Sequence, residues 1–327
     1  MTSISPKYGN IAGGYDITLT GTNLNAGAAT VTIDGVDCPV SSSTATTIVC
    51  TVGARSGTYT QDNTFTVVLG SSNAILQDTF LYALRWSDQA TWGVDIPPVD
   101  NDLIVVPKGT TLLVDQDTPI LEGIAVDGGT IIFEDGQALT VQAGFITLNG
   151  GKFIAGTEQN PHTSPLTFIM HGGYYGKQQP LFGNKGIGCL NCKFSMYGAP
   201  RAMTWTTLSA TVNVGATTLT LTDAVDWQVG EEIVVASTSF VHEEAERRTI
   251  TAKSGNTLTV DSAFKFKHVS EAETHGTDLL EMRAEVGLLS RNIKMKGDSS
   301  SFNKQYGSHL LLTGQSVNGF EGHVAYT

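Results

Sequence analysis

RWSDQATWGVDIPPVDNDLIVVPKGTTLLVDQDTPILEGIAVDGGTIIFEDGQALTVQAGFITLNGGKFIA, residues 85–155, is the stretch on which the fold turns. Short apolar runs at 103–106, 111–114, 123–126, 130–133, 138–141, 145–148 and 152–155 alternate with turns. Each run is too short for a helix and rich in the β-branched residues that suit a pleated surface. Between them stand Lys108-Gly109, Asp127-Gly128-Gly129, Glu134-Asp135-Gly136 and Asn149-Gly150-Gly151, positions where a positive φ admits glycine without strain. Strands and turns at such close, regular spacing predict a solenoid, a β-helix of stacked coils.

Working outward, residues 1–83 read as a separate domain. Ile17 and Leu19 alternate with Thr18 and Thr20, and Val31 and Ile33 with Thr30 and Thr32, the period-2 pattern of sandwich strands that bury one face. Further strands are expected at 48–52, 64–69 and 79–83. Beyond the solenoid, residues 176–200 read as a glycine-rich loop. Clean alternation then returns in 218–222 and 256–260, predicting a small β-barrel-like insertion over 201–278. Residues 279–327 read as further coils, with strands at 288–295, 309–313 and 317–326.

With 327 residues, 15% charged side chains and a formal charge of −12, the chain is long enough for several β-rich domains. The acidic balance excludes nucleic acid as a partner, because phosphates demand a basic footprint. Only Lys7 and Arg55 are basic before Arg85. No apolar run reaches the length needed to span a bilayer. The start, Met1-Thr2-Ser3-Ile4-Ser5-Pro6, lacks the basic and apolar regions of a signal peptide, so a secreted chain of this kind is expected to be a piece of something longer. At the other end, Phe320, Val324 and Tyr326 read as alternating inward without a capping unit. Solenoid ends are normally capped, so continuation by more coils, or stacking of another copy, is expected there.

Four cysteines allow three pairings. Cys38 and Cys50 flank a polar turn at hairpin spacing, and Cys189-Leu190-Asn191-Cys192 is a CxxC with no second pair or His cluster to complete a zinc site. Two local disulfides in an oxidising compartment are expected. No Asn-x-Ser/Thr sequon is present, which leaves O-linked glycans as the route to a glycoprotein. His242-Glu243-Glu244-Ala245-Glu246 lacks the second histidine of HExxH. Asp95, Asp100, Asp102, Asp115 and Asp117 are oxygen ligands that calcium accepts, although their spacing matches no calcium loop and lone Asp residues commonly mark turns. No cofactor is expected.

Trp86, Ser87 and Trp92, followed by Pro97-Pro98, Asp100 and Asp102 and the regularly placed glycines, resemble the G8 domain of the group of ectodomains that includes fibrocystin-L, transmembrane protein 2 and the cell-migration-inducing hyaluronidase. The resemblance extends through Tyr197–Arg201, Thr204-Trp205-Thr206, residues 226–238 and residues 282–293. The opening, with Ser5-Pro6, Gly13-Gly14 and residues 17–24, resembles an IPT/TIG domain. The resemblance implies an all-β chain. An immunoglobulin-like IPT/TIG sandwich (1–83) precedes a G8-type right-handed parallel β-helix (84–200), a β-rich insertion (201–278) and further coils (279–327).

What the group does implies an extracellular or cell-surface protein with a structural or adhesive role in a coat or filament, associated with glycans. Its partners would be copies of itself or further domains of a longer chain. Some G8-containing ectodomains are associated with hyaluronan degradation, so a polysaccharide depolymerase is the alternative. For that chemistry a pair of acids is needed. The candidates are Asp223, Asp226, Glu231 and Glu232, with Arg201 as anchor for a uronate carboxylate. The competing reading makes these acids turn markers and Arg201 a structural ion pair. Trp86 and Trp92 are candidates for a sugar-stacking platform, or else core anchors of the first coil. Lys265 with Lys267, and Lys294 with Lys296, sit two apart as on one strand face and are candidate polyanion contacts, or ordinary solvated positions.

Overall fold

A computed structural model of the chain describes residues 2–6, 8–9, 11–24, 29–33, 35–55, 65–69, 72–74, 80–93, 96–315 and 319–327. Asp34, Thr64, Thr79, Asp95 and Val317, which the expected turns, strands and ligand set include, lie outside the described residues. Residues 1–198 and 293–325 form one compact unit, and residues 199–292 form another.

The first unit opens with an antiparallel sandwich. One sheet runs Ser3–Ser5, Asp16–Thr20, Thr47–Thr51, Val40–Ser43, and the other Val36–Asp37, Ala29–Ile33, Phe65–Leu69, Ser72–Ala74. The threonine alternation does what its period requires: Ile17, Leu19, Val31 and Ile33 are buried in the core, with Phe80 and Tyr82 beside them. Cys38 and Cys50 are disulfide-bonded in that core, their Cα atoms 5.4 Å apart. Replacing both by alanine is expected to lower the stability of this sandwich by about 3 kcal/mol, from the entropy released to the unfolded loop. Hydrogen exchange of the 16–20 and 47–51 amides measures it. Unchanged protection would show that packing alone holds the sandwich.

The glycine-punctuated stretch is a parallel β-helix of three sheets. They are Leu84–Arg85, Thr111–Val114, Thr130–Phe133, Lys152–Ala155, Lys193–Tyr197, Glu321–Ala325; then Leu103–Pro107, Gly123–Asp127, Ile146–Asn149, Gly186–Leu190, His309–Thr313; then Ile120–Leu121, Leu139–Ala143, Leu166–Met170, Ile293–Gly297. Coils stack in register, so like residues form columns: Ile104, Ile124, Ile146 and Ile187 in one, Leu112, Ile131, Phe153 and Phe194 in another. Phe153 and Phe194 stack at 4.4 Å, and Phe133 and Phe168 pack against Phe153. Each buried phenylalanine contributes about 1.5–3 kcal/mol. At one corner Gly128-Gly129 lies under Gly150-Gly151, with Gly151 at φ 72°. A Cβ on Gly151 would stand 2.2 Å from the Gly129 carbonyl oxygen, so only glycine lets these corners stack.

Residues 176–200 depart from the loop expectation. Gly186–Leu190 and Lys193–Tyr197 are full coil strands, and Cys189 and Cys192 are buried and disulfide-bonded across the corner that joins them. Gly188 there makes room rather than a turn: a Cβ on it would lie 2.3 Å from the Phe182 ring.

The coils resume at Ile293, not at residue 279. The strand Glu285–Leu288 pairs antiparallel with Trp205–Thr207 and Glu232–Val235 and so belongs to the inserted unit. Where the chain re-enters, Lys185 is fully buried. Its ammonium donates to the Gly172 carbonyl (2.8 Å) and Ser301 Oγ (2.8 Å) and lies 3.4 Å from Asp298 Oδ1. Asp298 also accepts from the Ser300 hydroxyl and the Gly172 amide. Burial opposes its ionisation, but the Ser300 and Gly172 hydrogen bonds and the Lys185 charge together hold its carboxyl well below the usual range.

The second unit is a six-stranded antiparallel sheet, ordered Trp205–Thr207, Glu285–Leu288, Glu232–Val235, Glu246–Ser254, Thr257–Val260, Thr218–Thr220. A bridge between Leu208 and Leu221 joins its two edges into a barrel. Leu219, Trp227, Ile233, Val235, Leu258, Phe264 and Val286 fill the interior.

Candidate functional site

The inserted barrel carries a cleft of about 630 Å³ whose lining includes Trp205, Thr207, Asp223, Glu281, Arg283 and Glu285. Strand alternation sends Thr206 into the core and Trp205 outward, where the residue is 59% exposed. In register opposite Trp205 stands Gly287, and opposite Thr207 stands Glu285. The neighbouring strand therefore places no side chain directly opposite the indole, while its Glu285 lines the same cleft. Buried Trp227 donates its indole N–H to the Met203 carbonyl (2.7 Å), which fixes the chain just before Trp205. Thr206 donates its hydroxyl to Asp223 Oδ2 (2.7 Å), orienting that carboxylate. Arg283 pairs with Glu281 at 3.0 Å.

The sequence candidates divide around this cleft. Asp223 lines it. Arg201 is engaged with Glu231 and with the Asp226 carbonyl (3.4 Å). Glu231 further accepts the Gln228 amide (2.7 Å), and Asp226 Oδ2 accepts from Ala202 N–H (3.2 Å). These three residues thus brace the 201–203 and 226–231 segments against each other. Glu232 lies in strand Glu232–Val235, 4.0 Å from Arg247.

Trp86 is buried in the β-helix core, its ring edge-on to Trp92 at 5.1 Å, and the Trp92 indole donates to the Trp86 carbonyl. Lys294 and Lys296 share the exposed face of strand Ile293–Gly297. Lys265 and Lys267 are exposed but lie outside any strand, so the expectation that they share a strand face is corrected. Buried Glu246 accepts the Lys265 and Phe266 amides, and this bends the segment away from extended pairing. The described acids weighed as calcium ligands each accept protein hydrogen bonds: Asp100 from Ile120 N–H, Asp102 from Val99, Asp117 from Thr140, and Asp115 from Ser87 and Arg85. Among the described residues no group of three or more His, Cys, Asp or Glu is placed to hold a metal ion.

Sequence reasoning missed Trp205, Thr207, Glu281, Arg283 and Glu285 as one site. The outward Trp in Thr204-Trp205-Thr206 was a usable signal. The absence of a side chain opposite it, set by the register that brings Gly287 alongside, was not.

A G8 domain model matches residues 91–209 and an IPT/TIG domain model matches residues 1–83. Fibrocystin-L of Mus musculus is 34% identical over 312 residues, covering 92% of this chain and 7% of the relative. Fibrocystin-L of Homo sapiens is 33% identical with the same coverage. A G8 domain-containing protein of Dictyostelium discoideum is 30% identical over 247 residues, covering 71% of this chain and 16% of the relative. The chain thus spans only a small fraction of the length of these relatives. This chain thus joins an IPT/TIG domain to a G8 domain and β-helix, and is similar to fibrocystin-L across nearly its whole length.

Proposed function

We propose that this chain is a structural or adhesive segment of an extracellular or cell-surface protein, associated with glycans through the cleft around Trp205. The observation that carries the reading is that cleft: an exposed indole bordered by carboxylates, a guanidinium and a threonine hydroxyl. Aromatic faces receive the C–H side of sugar rings while the polar rim receives hydroxyls. Both cystines fit an oxidising compartment. Further domains of a longer chain, or other copies, are the proposed structural partners.

A depolymerase is the second reading, favoured by Asp223, Glu281 and Glu285 lining one cleft, since glycoside cleavage uses two acids flanking the bond. One experiment separates the two. The protein is incubated with neutral and acidic linear polysaccharides, hyaluronan included, and both retention and polymer length are measured. Retention of at least one of these polysaccharides, with shortening of none, is the expected result. Shortening that disappears in a folded Asp223→Asn variant would reverse the ranking.

A further inference from the structure

We propose that the Trp205 cleft is a subsite for a neutral oligosaccharide and discriminates against acidic glycans. This rests on the glycan reading above and assigns its substrate class. The indole is exposed to water, and Gly287 directly opposite it brings no side chain against it. A pyranose ring covers an indole face with its C–H bonds while its hydroxyls point to the rim. Those hydroxyls both donate and accept. The rim matches them with carboxylate acceptors at Asp223, Glu281 and Glu285, a donor at Arg283 and a hydroxyl that does both at Thr207.

Charge decides between classes of sugar. Asp223, Glu281 and Glu285 face a single guanidinium, Arg283, and that one is already paired with Glu281 at 3.0 Å. A uronate or sulfate entering here meets like charge and finds no uncommitted cation in the lining. Like-charge juxtaposition is a standard means of rejecting a competing ligand. The formal charge of −12 on the whole chain slows the approach of a polyanion further. A lysine-rich peptide would satisfy the charges and set an ammonium over the indole, but its aliphatic stems bring no hydroxyls to the mixed donors and acceptors of the rim.

The test uses residues 1–327 as they stand. Glucan, mannan and galactan oligomers, hyaluronan fragments, heparin fragments and an oligolysine peptide are titrated by calorimetry. Tryptophan fluorescence is followed in parallel, since Trp205 is far more exposed than the buried Trp86 and Trp227. At least one neutral oligomer is expected to bind, with little salt dependence, and acidic fragments about tenfold or more weaker. Trp205→Ala is expected to weaken neutral binding about tenfold or more. Gly287→Val should do the same by placing a side chain opposite the indole, with Gly287→Ala and the melting curve of each variant as the folding controls. A Cβ there meets only Val234 Cγ1, at an ordinary 3.5 Å. Tighter binding of hyaluronan or heparin fragments overturns the charge assignment while leaving the glycan reading standing. Binding of oligolysine alone, or of no glycan at all, overturns both.

Discussion

Asp298→Ala is expected to destabilise the β-helix by about 3–5 kcal/mol, because it strands a buried ammonium. The Lys185 side chain is 0% exposed and that of Asp298 is 14% exposed. With the carboxylate gone, Lys185 keeps the Gly172 carbonyl and Ser301 hydroxyl but loses its counter-charge. Lys185→Met should cost less. The thioether chain fills the same tunnel, and Asp298 keeps its Ser300 and Gly172 donors and some water. The double variant should cost less than the sum, since each change removes the other's partner. Hydrogen exchange on peptides covering Leu166–Met170 and Ile293–Gly297, strands that pair across this point, reads the effect. Equal losses in the two single variants would mean that the charge of Lys185 is not the cost. The cause would then be the loss of a contact that ties the coil before the insertion to the coil after it.

That clasp also shows where sequence reading reaches its limit. The coil strands between 103 and 155 were legible because short apolar runs alternate with turn residues, Asp-Gly or Asn-Gly after 123–126, 130–133 and 145–148. Lys185 and Asp298 lie 113 residues apart, and nothing local marks either as half of a pair. Gly186 and Gly188 misled for the opposite reason. Glycine signals a turn when it supplies a positive φ, but Gly188 is there to admit the Phe182 ring into the space a side chain would occupy. The end of the insertion was misplaced because Glu285-Val286-Gly287-Leu288 alternates like any strand. Period 2 says which face is buried, not whether the partner is a parallel coil or an antiparallel barrel. The cleft was half legible: alternation throws Trp205 outward, whereas the glycine opposite it and the carboxylates around it depend on barrel register. Arg201, Glu231 and Asp226, weighed as a uronate anchor with catalytic acids, meet one another in bracing the two segments that lead into the barrel.

Glu246→Ala is expected to unfold the barrel preferentially, with a loss of about 3–5 kcal/mol, and to remove the cleft with it. Glu246 and Arg248 side chains are only 5% and 9% exposed and pair directly. The same carboxylate accepts the backbone N–H of Lys265 and Phe266 at 3.0 Å and faces His268 Nε2 at 3.2 Å. The other ring nitrogen of His268 meets the Ala236 carbonyl. One carboxylate thus pins the 262–268 segment over the barrel and compensates a buried guanidinium that also stacks on Phe264. Burial penalises the charge of Glu246, but the amides of Lys265 and Phe266, with His268 and Arg248, more than offset it and set its pKa below the ordinary value. A depressed carboxylate pKa contributes stability that is fully present above the unfolded value of about 4.3. That contribution is lost as pH falls through the folded value. The gap in stability between the native chain and Glu246→Gln should therefore shrink as pH falls below about 4. Urea titrations at successive pH values, followed by exchange of the Glu232–Val235 and Glu285–Leu288 amides, measure it. A gap that stays constant through that acid range would show that Glu246 acts by filling space and not by its charge.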